Sequence, residues 1–416
     1  MLKNYLKIAL KVLLRRKFFT FISLFGISFT LVVLMVAAAF FDHLFAPLPP
    51  EKKLDRSLVV FALRIENTEK GFAHTGAPSY MFLDRYVRTL PEVEKVSIAT
   101  QITTALSFKN GEKIKSELKR TDGEFWQIMD FDFLEGGPFT VDDEKNANFV
   151  AVINAATRKK FFDRESAVGK TIEADGQSFR VVGVVANVPI YRVQPFADIW
   201  VPLSTAKGKF SSQELIGNCT GVILAKSRGD LGRIREDFKT KLAQVEFPDP
   251  KAFNTIYGAA ETQFENVARE LFVNNRSNES YAPQLLAVIV LFMILFMLLP
   301  TINLVNLNLS RIMERTSEIG VRKAFGASSS KLVGQFVVEN VLQTLVGGVI
   351  GFVLSYLVLQ MLTQSGLIQY AVFHMNYRLF LYGLGIALFF GLFSGVYPAF
   401  KMSRLHPVEA LRGKSL

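Results

Sequence analysis

Four long apolar runs divide the chain. They cover residues 18–41, 282–309, 333–362 and 379–400. A bilayer core of about 30 Å is crossed by a helix of about 20 apolar residues. Backbone polar groups in lipid must also be paired within the segment itself, which excludes lone strands. The pattern therefore predicts four membrane helices, one before and three after a long central segment.

The charged residues lie on one side of these runs. Six Lys and Arg precede the first run without any acidic residue, and further basic residues follow the second and fourth runs. The net charge is +11, yet segment 42–281 is close to neutral. Basic loops stay in the cytoplasm, so we expect 1–17, 310–332 and 401–416 inside and 42–281 outside, with 363–378 as a short outer loop. Charge confined to membrane flanks also argues against a nucleic-acid partner.

The first 41 residues allow two interpretations. In segment 1–17, Lys3, Lys7 and Lys11 repeat every four residues, and Leu6 and Leu10 fall on the other face. This pattern predicts an amphipathic helix lying against membrane lipid at the inner interface. The following run could instead be a cleaved signal peptide, but the apolar part of a signal takes about 7–15 residues and this run has 24.

Segment 42–281 combines the periodicities of strands and helices. The pattern predicts strands at 57–63, Val93–Thr100, Gln177–Val185 and 219–226, and helices at 78–90 and 230–245. We expect a mixed α/β domain of about 240 residues whose middle part is richer in strands. The predicted fold class is thus an α-helical membrane protein with four transmembrane helices and a large mixed α/β extracytoplasmic domain.

Candidate chemistry in the chain is sparse. Gly169-Lys170-Thr171 resembles the end of a phosphate-binding loop, but Arg164 takes the place of the glycine that the motif requires. The four histidines are scattered without a partner at metal-ligand spacing: His43, His74, His374 and His406. We therefore expect no catalytic residues, no metal site and no cofactor bound by this chain.

The loop 310–332 carries the most informative pattern. Charges of both signs alternate with apolar residues, Gly326 is suited to end a helix, and Ser328 is suited to cap the next one. One interpretation is an amphipathic turn at the membrane surface. The other is a helix that docks in a groove of a soluble partner through Ala324 and Phe325.

Small residues recur every four positions in the last two apolar runs. Such ridges let membrane helices approach closely. They serve either packing within the chain or dimerisation, and the pattern leaves both open for Gly347, Gly351, Gly383, Ala387, Gly391 and Gly395. The first, second and fourth runs carry no ionisable residue, and Glu339 lies near the inner edge of the third. This argues against a carrier coupled to protons or ions.

Two cytoplasmic stretches resemble a known family. The chain reads Glu318-Ile-Gly-Val-Arg-Lys-Ala-Phe-Gly-Ala327, followed by Gly347-Gly348-x-x-Gly351, and its tail reads Tyr397-Pro-Ala399 and Leu405-x-Pro407-x-Glu409-Ala-Leu-Arg412. These residues are similar to the signatures of MacB-type (FtsX-like) ABC transporter permeases. The similarity covers the whole chain in order and topology.

The resemblance implies partners and a coupling site. Such permeases work as dimers, so a second permease chain is expected, either identical or a sister chain. Each is driven by an ABC ATPase subunit, which would bind ATP and Mg²⁺ separately from this chain, since no complete phosphate-binding loop is present. In this respect the chain departs from MacB itself, which carries a fused ATPase. By analogy the ATPase-coupling helix comprises Glu318, Ile319, Gly320, Arg322, Lys323, Ala324, Phe325, Gly326 and Ala327.

Two function classes follow from the resemblance. The first is a permease of the inner membrane, with both termini cytoplasmic, that exports or extracts a peptide, a lipid or lipoprotein, or a drug-like compound. The second is a mechanotransmission complex that activates an extracytoplasmic partner, such as a cell-wall hydrolase or a signalling protein. The size of the outer domain favours transport, and an extracytoplasmic adaptor is a further possible partner. A membrane enzyme ranks third, because no acid–base or nucleophile arrangement is evident.

Overall fold

The computed structural model describes residues 2–15, 17–109, 112–163, 165–208, 214–272, 278–314, 321, 325 and 328–403. Chain contacts divide the fold into two compact units. The helical unit draws its residues from Met1–Asp42, Ala287–Leu367 and Phe373–Leu416. The mixed α/β unit draws its residues from His43–Leu286 and Ile368–Val372.

The helices of the described residues follow one another along the chain as α1 Leu2–Arg15, α2 Lys17–Phe45, α3 Tyr80–Phe82, α4 Phe125–Ile128, α5 Val141–Lys145, α6 Ala155–Phe162, α7 Leu231–Ala243, α8 Gln263–Phe272, α9 Ala282–Glu314, α10 Ser329–Ser365 and α11 Tyr377–Ser403. The short segments α3, α4 and α5 are single turns. Helices α2, α9, α10 and α11 contain the four apolar runs.

By length and composition, two of these helices can cross a membrane. They are Lys17–Phe45 and the part Val333–Ser365 of α10. The other two contribute shorter apolar stretches among the described residues, Ala282–Phe296 of α9 and Tyr377–Leu392 of α11. The count of four membrane helices therefore stays a prediction.

The mixed unit contains two sheets. The strands are β1 Ser57–Val60, β2 Leu63–Asn67, β3 Phe72–Pro78, β4 Val93–Thr100, β5 Thr103–Lys109, β6 Glu112–Thr121, β7 Phe133–Gly136, β8 Val150–Asn154, β9 Thr171–Ala174, β10 Gln177–Val185, β11 Ile199–Pro202, β12 Ile216–Gly217, β13 Cys219–Ala225 and β14 Thr255–Gly258. The larger sheet runs β1-β13-β4-β6-β11-β8-β10-β7, with β5 added on β6 and β9 on β10. The smaller sheet runs β12-β3-β2-β14.

The larger sheet is mixed in direction. β8 and β10 pair in parallel, with α6 between them in the chain, as a parallel pair requires a crossover connection. β6 and β11 are also parallel, whereas β13 pairs antiparallel with both β1 and β4. Every residue of β13 is buried, in keeping with a mainly apolar sequence in which the Thr220 hydroxyl bonds to Gln194 at 3.2 Å.

Aromatic side chains fill one part of the core. Trp126 packs against Phe131, Phe139 and Trp200, with ring centroids 5.1, 5.3 and 6.1 Å apart. Trp200 is fully buried and its indole N–H donates to the Pro195 carbonyl at 3.1 Å. The chain has two tryptophans, and both belong to this cluster. Tryptophan fluorescence therefore reports on the mixed unit.

Several predicted elements of the mixed unit are confirmed. The strands at Val93–Thr100 and Gln177–Val185 have the predicted bounds. The helix expected at 230–245 is α7, Leu231–Ala243, whose Leu231, Ile234, Phe238 and Leu242 are buried.

One predicted helix is shorter than expected, and one predicted strand is wrong. The helix predicted at 78–90 does not begin at Pro78, because Pro78 ends β3 and is paired there with Ile216. The helical segment runs from Tyr80 to Val87, with an α-helical turn over Tyr80–Phe82 followed by a π-helical turn over Leu83–Val87. The helical turn begins at Tyr80 instead, where the Ser79 side chain accepts a hydrogen bond from the Phe82 N–H. Segment 57–63 is not one strand, because β1 pairs in the larger sheet and β2 in the smaller one, so the chain must turn between them.

Candidate functional site

Of the residues predicted to form the ATPase-coupling helix, the structure describes Phe325. The Phe325 N–H donates to the Val321 carbonyl at 3.1 Å, which is the spacing of an α-helical turn. The Phe325 side chain is 89% exposed, so it presents a large apolar surface without cover. The other predicted residues of this helix lie outside the described residues: Glu318, Ile319, Gly320, Arg322, Lys323, Ala324, Gly326 and Ala327.

Two predicted packing glycines of α10 face α2. A Cβ built on Gly347 would stand 2.8 Å from Ile27 Cγ2, and one built on Gly351 would stand 3.0 Å from Leu31 Cβ. Ile27 and Leu31 are both buried. These two glycines therefore allow α10 and α2 of the same chain to approach closely.

The predicted small residues of α11 lie along one helix. A Cβ on Gly391 would stand 2.7 Å from Thr344 Oγ1 of α10, and one on Gly383 would stand 3.5 Å from Leu31 Cδ2. Ala387 is half-buried, and Gly395 lies further along α11. Gly383 and Gly391 thus pack within the chain, as Gly347 and Gly351 do.

A buried charge cluster lies in the mixed unit. The Arg192 guanidinium donates to Glu51 Oε2 at 2.8 Å, and both side chains are almost fully buried. Lys119 of β6 is also buried, and its ammonium donates to the carbonyls of Val193 and Gln194 at 2.7 and 2.5 Å. Burial raises the pKa of Glu51, and Arg192 opposes that shift. Burial lowers the pKa of Lys119 to about 7, and Glu51 opposes that shift.

The short connection between α10 and α11 contacts the same region. The Tyr370 hydroxyl donates to Asp198 Oδ1 at 3.0 Å, and the Ile190 N–H donates to the Gln369 carbonyl at 3.3 Å. His43 Nε2 is bonded to the Val372 carbonyl. These groups come from three distant parts of the sequence. These contacts were not predicted from the sequence, since a lone Arg, Asp or Tyr in a loop carries no local signal of its partner.

The remaining candidates provide no chemical site. Lys170 pairs with exposed Glu165, and Thr171 begins β9 and not a helix, so Gly169-Lys170-Thr171 is not a phosphate-binding loop. Among the described residues, no group of His, Cys, Asp and Glu could hold a metal ion. Cys219 is fully buried in β13, and burial raises the pKa of its thiol to about 12.

A polar cleft of about 280 Å³ lies near the ends of β3 and β6, with Tyr80, Arg120 and Glu214 among its lining residues. The Arg120 guanidinium is occupied by bonds to Thr205, Asp175 and Gln177. Among the lining residues that the structure describes, none is placed for acid–base or nucleophilic chemistry.

Two family models match the chain in tandem. The MacB-like periplasmic core domain matches residues 20–241, and the FtsX-like permease C-terminal model matches residues 290–407. The first covers most of α2 and most of the mixed unit. The second covers the exposed Phe325 and the glycines of α10 and α11.

Curated relatives agree with these models. The chain is 26% identical over 321 residues to the macrolide export ATP-binding/permease protein MacB of Photorhabdus laumondii, covering 76% of this chain and 46% of that protein. It is 28% identical over 335 residues to the MacB protein of Wolinella succinogenes, covering 80% of this chain and 47% of that protein. The chain thus spans about half the length of the curated relatives it matches.

Solved structures similar to the mixed unit include the periplasmic region of MacB from Actinobacillus actinomycetemcomitans. It is 16% identical, covers 53% of this chain and 94% of its own, and gives a TM-score of 0.37. A domain of a permease protein from Porphyromonas gingivalis is 13% identical, covers 50% of this chain and 90% of its own, and gives a TM-score of 0.40.

Proposed function

Because the chain belongs to the MacB/FtsX-type permease family, we propose that it is the permease subunit of an ABC transporter and transmits the motion of a separate ATPase subunit to its extracytoplasmic domain. The observation that carries this proposal is the tandem order of the two family models on one chain. A permease module joined to a large outer domain is suited to convert ATP-driven motion on one side of a membrane into work on the other.

The coupling site in this proposal is the loop before α10. The Phe325 side chain is apolar and exposed. A helix that docks in a groove of a partner needs such a side chain as an anchor. ATP and Mg²⁺ would be held by the partner ATPase, and this chain would bind neither. Nucleotide-driven closure of the ATPase pair would press on this loop and shift α10.

The packing of the helices supports onward transmission. Gly347 and Gly351 place α10 directly against α2, and close-packed surfaces pass on a displacement because their contacts cannot be compressed. Helix α2 continues in the chain to residues 46–51 of the mixed unit. A shift of α10 would therefore reach the outer domain through α2.

The proposal includes four membrane helices, a location in the bacterial inner membrane and cytoplasmic termini. A second permease chain would complete the complex. The substrate class is a peptide, a lipid or lipoprotein, or a drug-like compound, handled at the extracytoplasmic side. The MacB relatives are macrolide export proteins by name, which favours export as the direction of transport.

Affinity isolation tests the proposal. The full chain is extracted from its native membrane in mild detergent, and the proteins that co-purify are identified by mass spectrometry. We expect an ABC ATPase in an amount equal to the permease, and ATP hydrolysis by the isolated complex. Isolation of the intact chain without any ATPase, repeated after gentle cross-linking in the membrane, would contradict the proposal.

A further inference from the structure

A loop of the mixed unit is largely buried although it contains no regular helix or strand, and only Ile190 and Val193 of it are exposed. It comprises residues 189–198, between β10 and β11, and we name it the clasp segment. Gln194, Phe196 and Asp198 are each less than 5% exposed. Loops normally run over the surface, because buried backbone needs partners for its polar groups. The partners of this loop therefore reveal what it holds.

One end of the clasp segment holds the connection that follows α2. The Arg192 guanidinium donates to the Ala46 carbonyl at 3.1 Å, to the Leu48 carbonyl at 3.4 Å and to Glu51 Oε2 at 2.8 Å. A single planar group thus binds three points within six residues of chain. Lysine, with a compact ammonium, could not reproduce this geometry.

The clasp segment also holds the connection between α10 and α11. Asp198 accepts a hydrogen bond from the Tyr370 hydroxyl at 3.0 Å, and the Ile190 N–H donates to Gln369. Tyr370 has a φ of 61°, a conformation that bulky residues rarely adopt. Such a backbone persists where its surroundings fix it, so this connection is held in one conformation.

The clasp segment is in turn fixed to the larger sheet. The Lys119 ammonium binds the carbonyls of Val193 and Gln194. Asp198 Oδ2 accepts from the Glu117 N–H at 3.0 Å, and Asp198 Oδ1 accepts from Asn154 Nδ2 at 2.8 Å. The clasp segment is therefore bonded directly to β6 and β8.

We propose that the clasp segment is the extracytoplasmic coupling element of this protein, with Arg192 and Asp198 as positioning residues. Arg192 joins the clasp segment to the connection that follows α2, and Asp198 joins it to the α10–α11 connection. Movements of these two parts of the chain are thereby combined and delivered to β6 and β8. This inference rests on the proposed permease function and names the residues through which the motion enters the outer domain.

The test compares variants in the assembled complex of permease and ATPase. The main variant replaces both partners of the buried pair, Arg192→Met with Glu51→Leu, because apolar replacement of a whole buried ion pair is tolerated better than removal of one charge. The milder variant is Tyr370→Phe, which removes one hydroxyl and keeps the ring. The matched control is Arg85→Met, which breaks an exposed Arg–Glu pair of the same unit, 3.1 Å long.

The readout is hydrogen–deuterium exchange with and without Mg²⁺ and a non-hydrolysable ATP analogue. In the wild type and in Arg85→Met, the analogue should change exchange in residues 46–51 and in β6 and β8. In the Arg192/Glu51 double variant, the change in β6 and β8 should be strongly reduced while that in residues 46–51 persists, because the α10–α11 connection is still linked to the clasp segment through the contact between Tyr370 and Asp198. In Tyr370→Phe, the change in β6 and β8 should be reduced. In the single variant Arg192→Lys, part of the change in β6 and β8 should be recovered relative to the double variant.

Two further measurements are needed on each variant. Tryptophan fluorescence must show that each variant unfolds cooperatively, and ATPase co-purification must equal that of the wild type. If β6 and β8 still respond fully in a folded double variant and in Tyr370→Phe, the coupling role is overturned. If the wild-type complex shows no response to the analogue in either region, the proposed permease function fails, and the coupling role fails with it.

Discussion

Gly347 of α10 lies so close to Ile27 of α2 that a side chain on Gly347 would collide with it. A Cβ there would stand 2.8 Å from Ile27 Cγ2 and 3.0 Å from Ile27 Cβ. Ile27 is β-branched and 3% exposed, so it has little freedom to move aside. Beside Ile27, the separation of these two helices is therefore set by the lack of a side chain on Gly347, as it is by Gly351 beside Leu31.

Gly347→Ala should consequently destabilise the helical unit. Overpacking costs about 1–3 kcal/mol, more than the gain of about 1 kcal/mol in helix propensity. Gly334→Ala, in the same helix with no atom within 4 Å of its Cβ position, should instead be neutral or stabilising. The measurement is the temperature at which detergent-solubilised protein loses its monodisperse peak in size-exclusion chromatography. Equal temperatures for the two variants would disprove close contact between α10 and α2.

Phe325→Asp should uncouple the chain from its ATPase. A charge would replace the exposed apolar anchor and would be costly to bury in a partner groove. We expect normal insertion, weakened co-purification of the ATPase and loss of ATPase stimulation, measured as phosphate release. Leu134→Asp, at a 59% exposed position of β7, is the control and should leave both intact. Full stimulation in Phe325→Asp would show that the partner docks elsewhere.

Lys119 should make stability depend on pH. Its pKa is lowered to about 7 by burial, whereas an unfolded lysine keeps its proton up to about pH 10.4. Between these values the unfolded chain binds more protons, so the free energy of unfolding rises with pH, by up to about 1.4 kcal/mol per pH unit. The neutral amine still has two hydrogens for the carbonyls of Val193 and Gln194.

The measurement is urea unfolding of the full chain in detergent at pH 7.5, 8.5 and 9.5, followed by tryptophan fluorescence. Lys119→Met should show a clearly smaller rise in stability over this range. If the wild type and Lys119→Met give parallel pH profiles, Lys119 keeps its charge in the folded protein over this pH range. Glu51 would then be the group that stabilises this charge.

Asp122 should be a major contributor to the stability of the mixed unit. Its carboxyl accepts from the Ile98 and Phe125 N–H groups at 2.7 and 3.1 Å, and from Ser97 and Arg88. Asp122→Ala leaves two buried backbone donors without this acceptor and should cost about 2–4 kcal/mol. Asp143→Ala, which removes an exposed capping box, should cost about 1 kcal/mol. Denaturant unfolding measures both, and similar losses would contradict this role of Asp122.

The parts of the fold that the sequence predicts well have local causes. The strand Gln177–Val185 carries a compact run of β-branched residues between turn signals, and α7 carries the apolar spacing of a helix buried on one side. Pro78 shows the limit of such patterns. Proline suits the first turn of a helix, but it suits the end of a strand equally well, and only pairing with Ile216 decides between them.

The candidate sites also divide into one with a local sequence pattern and one that depends on distant contacts. The loop containing Phe325 has a continuous motif, so its role is open to prediction from the sequence. Arg192 and Glu51 are separated by 141 residues, and Tyr370 and Asp198 by 172. Contacts of this kind depend on the path of the chain through both connections and on the sheet that supports the clasp segment. No local pattern of charge or hydrophobicity contains that information.

The burial of Cys219 has a practical consequence for labelling. It is the single cysteine of the chain, and its thiol is fully buried with a pKa raised to about 12 by that burial. Thiolate is the reactive form, so maleimide reagents should not label Cys219 in the folded protein. A cysteine introduced beside Phe325 or Tyr370 would then carry the only fluorophore or spin label on each chain. The rate at which Cys219 itself is modified would measure how often the fold around β13 unfolds.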